Sequence, residues 1–164
     1  MVGKRKPVHT ENSIVIHAPI AEVFKLGACI EDWPRLLPHY RWVTVLRNEG
    51  DARLVNMAAS RDGIPVSWVS LQRADAEQKR IYYRHVRGIT RGMTVEWSIE
   101  QRADGVQVRI VHDFNPPWPA PLGPIIARYI VGQLFVHAIA GRTLRGIKRL
   151  AERGAAVASA AAGY

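Results

Sequence analysis

Hydrophobic and polar positions change their period twice along this chain. Residues 11–17 alternate, with Ile14 and Ile16 on one side, and predict a strand. Ala18-Pro19 breaks the alternation. Pro19 suits the first turn of a helix running to about Gly27, with Ile20, Val23 and Phe24 on its apolar face. A second short helical piece begins near Ile30, buries Trp33, Leu36 and Leu37, and stops at Pro38. From Tyr40 to Phe114 the period falls to two, and six strands follow over 41–47, 52–60, 66–73, 80–86, 93–100 and 106–114. Asp62-Gly63 is the strongest hairpin signal between them, because both turn positions need a left-handed backbone.

The period changes again after Pro124, where an apolar run continues to about Arg153 and predicts one long helix. Its roughly 30 residues would span about 45 Å, the width of a small domain. One face passes through Ile126, Ile130, Leu134, His137, Gly141, Leu144 and Lys148. A stripe that wide needs a sheet to lie on. Arg128, Gln133 and His137 interrupt the run, which argues against a membrane span. The predicted fold is α+β: a curved antiparallel sheet of about seven strands around a long C-terminal helix, with two short helices after the first strand.

Alternation also assigns the faces. In the last strand Val106, Val108, Ile110, His112 and Phe114 share the inner side, and Met93, Val95, Trp97 and Ile99 do so in the strand before. Val66, Trp68, Ser70 and Gln72 form another inward set, and Tyr82, Arg84 and Val86 are read as the next. A curved sheet gripping one helix leaves room for an apolar cavity with a few polar groups.

With 164 residues the chain is one domain, expected over 10–153, with a basic leader at 1–9 and a frayed Ala/Gly-rich tail at 154–164. Cys29 is the only cysteine, so neither an intramolecular disulfide nor a thiolate cluster can form. The six histidines lack close ligand spacing, and no Gly-rich phosphate loop is present. No metal or cofactor is expected. A basic start followed by a polar stretch is no signal peptide, and the expected compartment is cytoplasmic. The net charge of +9 admits an anionic membrane surface or an acidic carrier protein as a peripheral partner. Nucleic acid is disfavoured, since the aromatic residues face inward. A monomer and a homodimer are both compatible with the sequence.

The strings NSIVIHAP, IEDWPRLLPHYRWVTVLRNEGD, WVS and HDF resemble the tetracenomycin-type polyketide aromatase/cyclases. These belong to the helix-grip superfamily of START and birch-pollen-allergen proteins. The similarity runs from about Asn12 to Glu152, and its IEDWP block is shared with the coenzyme Q-binding branch. The resemblance implies a polyketide-like ligand in an internal cavity and dehydrating, aldol-type ring closure. A non-enzymatic carrier for a quinone, isoprenoid or lipid is the alternative. The family's pocket tyrosine falls on Tyr40, one pocket arginine on Arg84, and a polar residue of the last strand on His112. A second arginine, four residues after the pocket tryptophan Trp68, is replaced here by Gln72.

These positions give the candidate site. Arg84 binds a carbonyl or carboxylate, or else pairs with an acid. His112 is a general base or a core histidine, and Tyr40 donates to a ligand or caps the cavity. Trp33, Val66, Trp68, Ser70, Gln72 and Tyr82 are candidate wall residues, as are Val95, Trp97 and Ile110. From the loop and helix come Trp118, Ile130, Leu134 and His137. Trp118 sits in a Pro-rich stretch that would gate the mouth or dip into a membrane.

Overall fold

The turn residues and the period-two pattern produce the expected strands. In a computed structural model the described residues are 8–116, 125, 126, 129 and 136–163. Strand β1 (Val8–Ile16) leads to helix α1 (Ile20–Ala28), a 3-10 turn at 30–32 and the single turn α2 (Trp33–Leu36). Strands β2 (Tyr40–Glu49), β3 (Ala52–Arg61) and β4 (Ile64–Asp75) follow. After them come β5 (Arg80–Gly88), β6 (Thr94–Arg102), β7 (Gly105–Phe114) and the helix α3 (Val136–Ala162). The sheet is antiparallel throughout, in the order β1-β7-β6-β5-β4-β3-β2. This is the helix-grip arrangement.

Each hairpin joins neighbours in sequence, so only β1 pairs across a distance. Asp62 and Gly63 both take positive φ, 50° and 85°, as a tight right-twisted hairpin requires. Register shifts interrupt the β2–β3 ladder at Tyr40/Trp42 and Val45/Arg47, and the β4–β5 ladder at Val69/Ser70. Such bulges bend a strand and strengthen its twist, which curves the sheet toward the helices.

Three features differ from the sequence expectation. The strand at the N-terminus starts at Val8, inside the expected leader, because Val8 to Ile16 find partners along the full length of β7. The helix α3 continues to Ala162 through the stretch expected to fray. Its alanines have the highest helix propensity of any residue, and they extend a helix already packed at Ala151. The buried face of α3 is Ile139, Ala140, Thr143, Leu144, Gly146, Ile147 and Ala151, so the predicted stripe is rotated and His137 is exposed. Ile125, Ile126 and Tyr129 are exposed, and Trp118, Ile130 and Leu134 lie outside the described residues. Among the described residues, no helix is long and apolar enough to cross a membrane.

Hydrogen bonds tie α3 to β1 and to the residue just after it. Lys148 Nζ donates to the Val15 carbonyl at 2.7 Å and to Glu152 at 2.7 Å, and Glu152 accepts from the His17 amide at 2.9 Å. Just before Lys148, Gly146 lets α3 approach the end of α2. A Cβ there would overlap Leu37 Cδ2, and Leu37 is buried. Gly146→Ala is expected to cost about 1–3 kcal/mol, overcrowding outweighing the helix propensity gained. Urea denaturation of the variant measures it, and an unchanged midpoint would mean that Leu37 has room to move.

Candidate functional site

Between the concave face of the sheet and the first turns of α3 lies a cavity of about 80 Å³. That is room for several waters. Trp33, on α2, forms one wall and is held by its Nε1–H donating to the Leu26 carbonyl at 2.8 Å. Its ring meets Tyr40 at 4.8 Å and Trp97 at 5.9 Å between centroids. Val66, Trp68, Val95 and Ile110 supply sheet walls, while Val136, Ile139 and Ala140 close the space from α3. Met57 and Met93 also line it; unbranched thioethers adapt to irregular shapes more readily than branched side chains.

Six neutral polar side chains reach this space: Tyr40, Tyr83, His85, Thr90, His112 and Thr143. No described residue lining it is charged. His85 stacks on Trp68 at 5.6 Å, nearly parallel, and its Nδ1 is 2.6 Å from Thr90 Oγ1. His112 stands opposite Val95, and its buried Nδ1 has no protein partner. Burial pushes both imidazoles down to about 3, with His85 and His137 adding smaller repulsions at His112. Both rings are therefore neutral near pH 7. Burial raises the Tyr40 and Tyr83 phenols well above the ordinary range, so both remain proton carriers. Tyr40 OH lies 3.1 Å from Thr143 Oγ1, and Gln72 Nε2 donates to Tyr83 OH at 3.0 Å.

Two residues of the predicted site face the other way. Arg84 is exposed and Tyr82 is half-buried, both beside a depression on the outer face of the sheet. The inner residues of β5 are Ile81, Tyr83 and His85. The register decides this: Tyr83 stands opposite Gln72 and Val95, and residues directly opposite share a face. The four-residue turn after Asp75 carries the same information, since an inward Gln72 demands an inward Tyr83. An inward Arg84 would also have been a buried guanidinium without a carboxylate. His137 is exposed and does not line the cavity; its carbonyl accepts from Asn12 Nδ2 at 3.2 Å.

Ser70 and Gln72 are buried as expected, but neither lines the cavity. Gln72 is committed to a network instead. Its Oε1 accepts from Arg53 Nε at 2.6 Å, and its Nε2 also donates to the Ala28 carbonyl at 3.2 Å. Arg53 in turn pairs with Glu31 and donates to Ala28. Tyr83, His85, Thr90 and Thr143 were not predicted. The turn register signals the first two, whereas Thr143 sits unmarked between the arginines of α3. Among the described residues no cluster of His, Cys, Asp and Glu could hold a metal ion.

Residues 7–153 match the model of a family described as polyketide cyclase/dehydrase and lipid transport. A protein of Streptomyces halstedii, named as a candidate polyketide cyclase, is 41% identical over 69 residues, 41% of this chain and 63% of that protein. The chain spans less than two thirds of the length of the curated relatives it matches. Among solved structures, the Zhui aromatase/cyclase from Streptomyces sp. R1128 superposes with a TM-score of 0.78 over 90% of this chain and 94% of that one, at 22% identity. A START superfamily protein from Mycobacterium smegmatis gives 0.68 over 88% and 97%, at 13% identity. At such identities the likeness is one of fold.

Proposed function

The chain belongs to the polyketide cyclase/dehydrase and lipid-transport family, and on that premise we propose that it folds a polyketide-like chain in the central cavity and closes a ring by dehydrating aldol chemistry. The observation that carries this reading is the convergence of neutral imidazoles and phenols on one apolar, aromatic-walled space. A carrier needs only apolar walls.

The chemistry follows from the protonation states. His112 has a free ring nitrogen and is neutral, the form that accepts a proton. It takes one from a methylene between two ketones. The resulting enolate carbon attacks a second carbonyl of the same chain, forming the ring bond while the C=O pair moves to oxygen. That oxygen takes a proton and becomes a hydroxyl. Loss of the hydroxyl with a second α-proton releases water and leaves a double bond. Burial makes the empty-site imidazole a weak base, but an enolate forming beside it offsets the cost of the imidazolium. Tyr40, which cannot ionise readily, polarises the electrophilic carbonyl by donation. The walls contribute by holding one folded conformer against competing cyclisations. The unbranched Met57 and Met93 in the wall can change rotamer to make room for a growing product.

A linear poly-β-ketone thioester tests this. Wild type is expected to direct it to one ring pattern, and His112→Phe to be slower by about 10²-fold or more. A hydroxyanthraquinone, read by quenching of Trp33, Trp68 and Trp97, should still bind the variant. If wild type and His112→Phe give the same rate and the same product mixture as buffer, ring closure is wrong and the cavity belongs to a carrier.

A further inference from the structure

Tyr40 poses a problem that its neighbours resolve. A buried phenol whose ionisation is opposed by burial can release a proton only if another arrives as it leaves. Thr143 Oγ1, also in the cavity wall, is 3.1 Å from Tyr40 OH. The same oxygen is 2.9 Å from His39 Nε2 and 2.8 Å from the Ile139 carbonyl, to which it can donate. His39 does not line the cavity. It lines a groove on the outside, with Pro38, Asp62, Arg142 and Arg145. The three side chains therefore cross the wall between cavity and solvent.

We propose that His39 and Thr143 are positioning residues that resupply Tyr40 with protons through the cavity wall, from the solvent in the outer groove. The proposal rests on the ring-closure reading above. A hydroxyl has one proton and two acceptor positions, so the chain has few arrangements. With the Thr143 proton on the Ile139 carbonyl, Thr143 accepts from both His39 Nε2–H and Tyr40 O–H. The Tyr40 proton then points away from the ligand. When Thr143 turns its proton toward Tyr40, His39 still donates and the Tyr40 proton is released to a ligand oxygen.

Transfer follows without charge left behind. The ligand oxygen takes the Tyr40 proton, Tyr40 takes that of Thr143, and Thr143 takes that of His39 Nε2. His39 Nδ1 gains a proton from water in the groove, so the ring stays neutral and one proton has moved inward. Afterwards Tyr40 donates to Thr143 and Thr143 donates to the bare Nε2, with the same heavy-atom distances. The charges facing His39 suit a ring that stays neutral. Arg142 and Arg145 approach from α3 with Arg149 farther along the groove, and Asp62 is engaged by Arg142 at 2.8 Å. Burial, then Arg142 and Arg145, lowers the His39 ring to about 4.

Two measurements test the chain. Thr143→Val and His39→Phe are expected to slow ring closure about 10²-fold while hydroxyanthraquinone affinity stays within about threefold, and Thr143→Ser to restore the rate to within about threefold. Independently, ¹⁵N spectra of the unliganded protein at pH 7 should place the His39 proton on Nε2, and Thr143→Val should shift that population toward Nδ1. Wild-type turnover in Thr143→Val or His39→Phe would overturn the relay. So would a ring already protonated on Nδ1 and unmoved by Thr143→Val. A wild type that closes no ring would sink the ring-closure reading, and the tautomer would still decide whether the chain is wired as described.

Discussion

Acidification from pH 7 to pH 4 is expected to remove on the order of 5 kcal/mol of folding stability, through His85 and His112. Each ring is held neutral by burial, with its folded pKa near 3 against an ordinary value of 6.5. Between those limits the unfolded chain binds more protons than the folded one, so stability rises with pH. The full contribution is present above about pH 6.5 and is lost progressively as pH falls toward 3. Set against a typical total of about 5–15 kcal/mol, the loss is a third of that total or more. His39, lowered to about 4 and only half-buried, adds a smaller part in the same direction.

Carboxylates do not obscure this window. Glu11, Asp62 and Glu152 are held low chiefly by hydrogen bonds, to Arg109, Arg142 and the His17 amide respectively. Their contributions are present above the ordinary carboxylate range and fade only below it, and their exposure to solvent weakens them. Urea denaturation at intervals from pH 7 to 4 is the measurement. Wild type should lose stability steeply below pH 6.5, and His85→Gln/His112→Gln should keep only the shallower slope that His39 supplies. A wild-type profile flat to pH 4.5 would mean that water or local opening reaches both rings, and they would no longer be credible as buried bases.

The strand pattern was readable because each hairpin carries its own turn chemistry, as Asp62-Gly63 does, and because β5, β6 and β7 bury alternate residues. The pattern of β5 is different. Ile81, Tyr83 and His85 compete with Tyr82, Arg84 and Val86, and both sets hold two apolar or aromatic residues and one basic one. Alternation alone cannot choose between them, whereas the ladder to Gln72 and Val95 does. Of the face expected on α3, Leu144 is buried and His137 is exposed, and Ile130 and Leu134 lie outside the described residues. Tyr40 and His112 were legible through the last strand and the resemblance. Thr143 was not, because its role comes from a contact with Tyr40 across 103 residues.

Gln72→Arg, which places an arginine where the resembling cyclases carry one, is expected to destabilise this protein by about 3 kcal/mol or more. The space is already served by a guanidinium from another strand. Arg53, on β3 opposite Gln72, directs its Nε–H to Gln72 Oε1 at 2.6 Å. An arginine at position 72 cannot accept that bond, since it carries donors only. Two cations would then share Glu31, the carboxylate that pairs with Arg53. Tyr83 would be affected as well, because Gln72 Nε2 donates to its hydroxyl and so leaves the phenol proton available for another acceptor. The double variant Gln72→Arg/Arg53→Met should regain most of the loss, because the new guanidinium inherits Glu31 and the Ala28 carbonyl. Urea midpoints of the two singles and the double close the cycle, and a large favourable coupling is the expected result. A Gln72→Arg protein as stable as wild type would mean the network yields easily. In that case an arginine could be placed here without cost, and the lack of charge among the described residues that line the cavity would reflect the ligand rather than the scaffold.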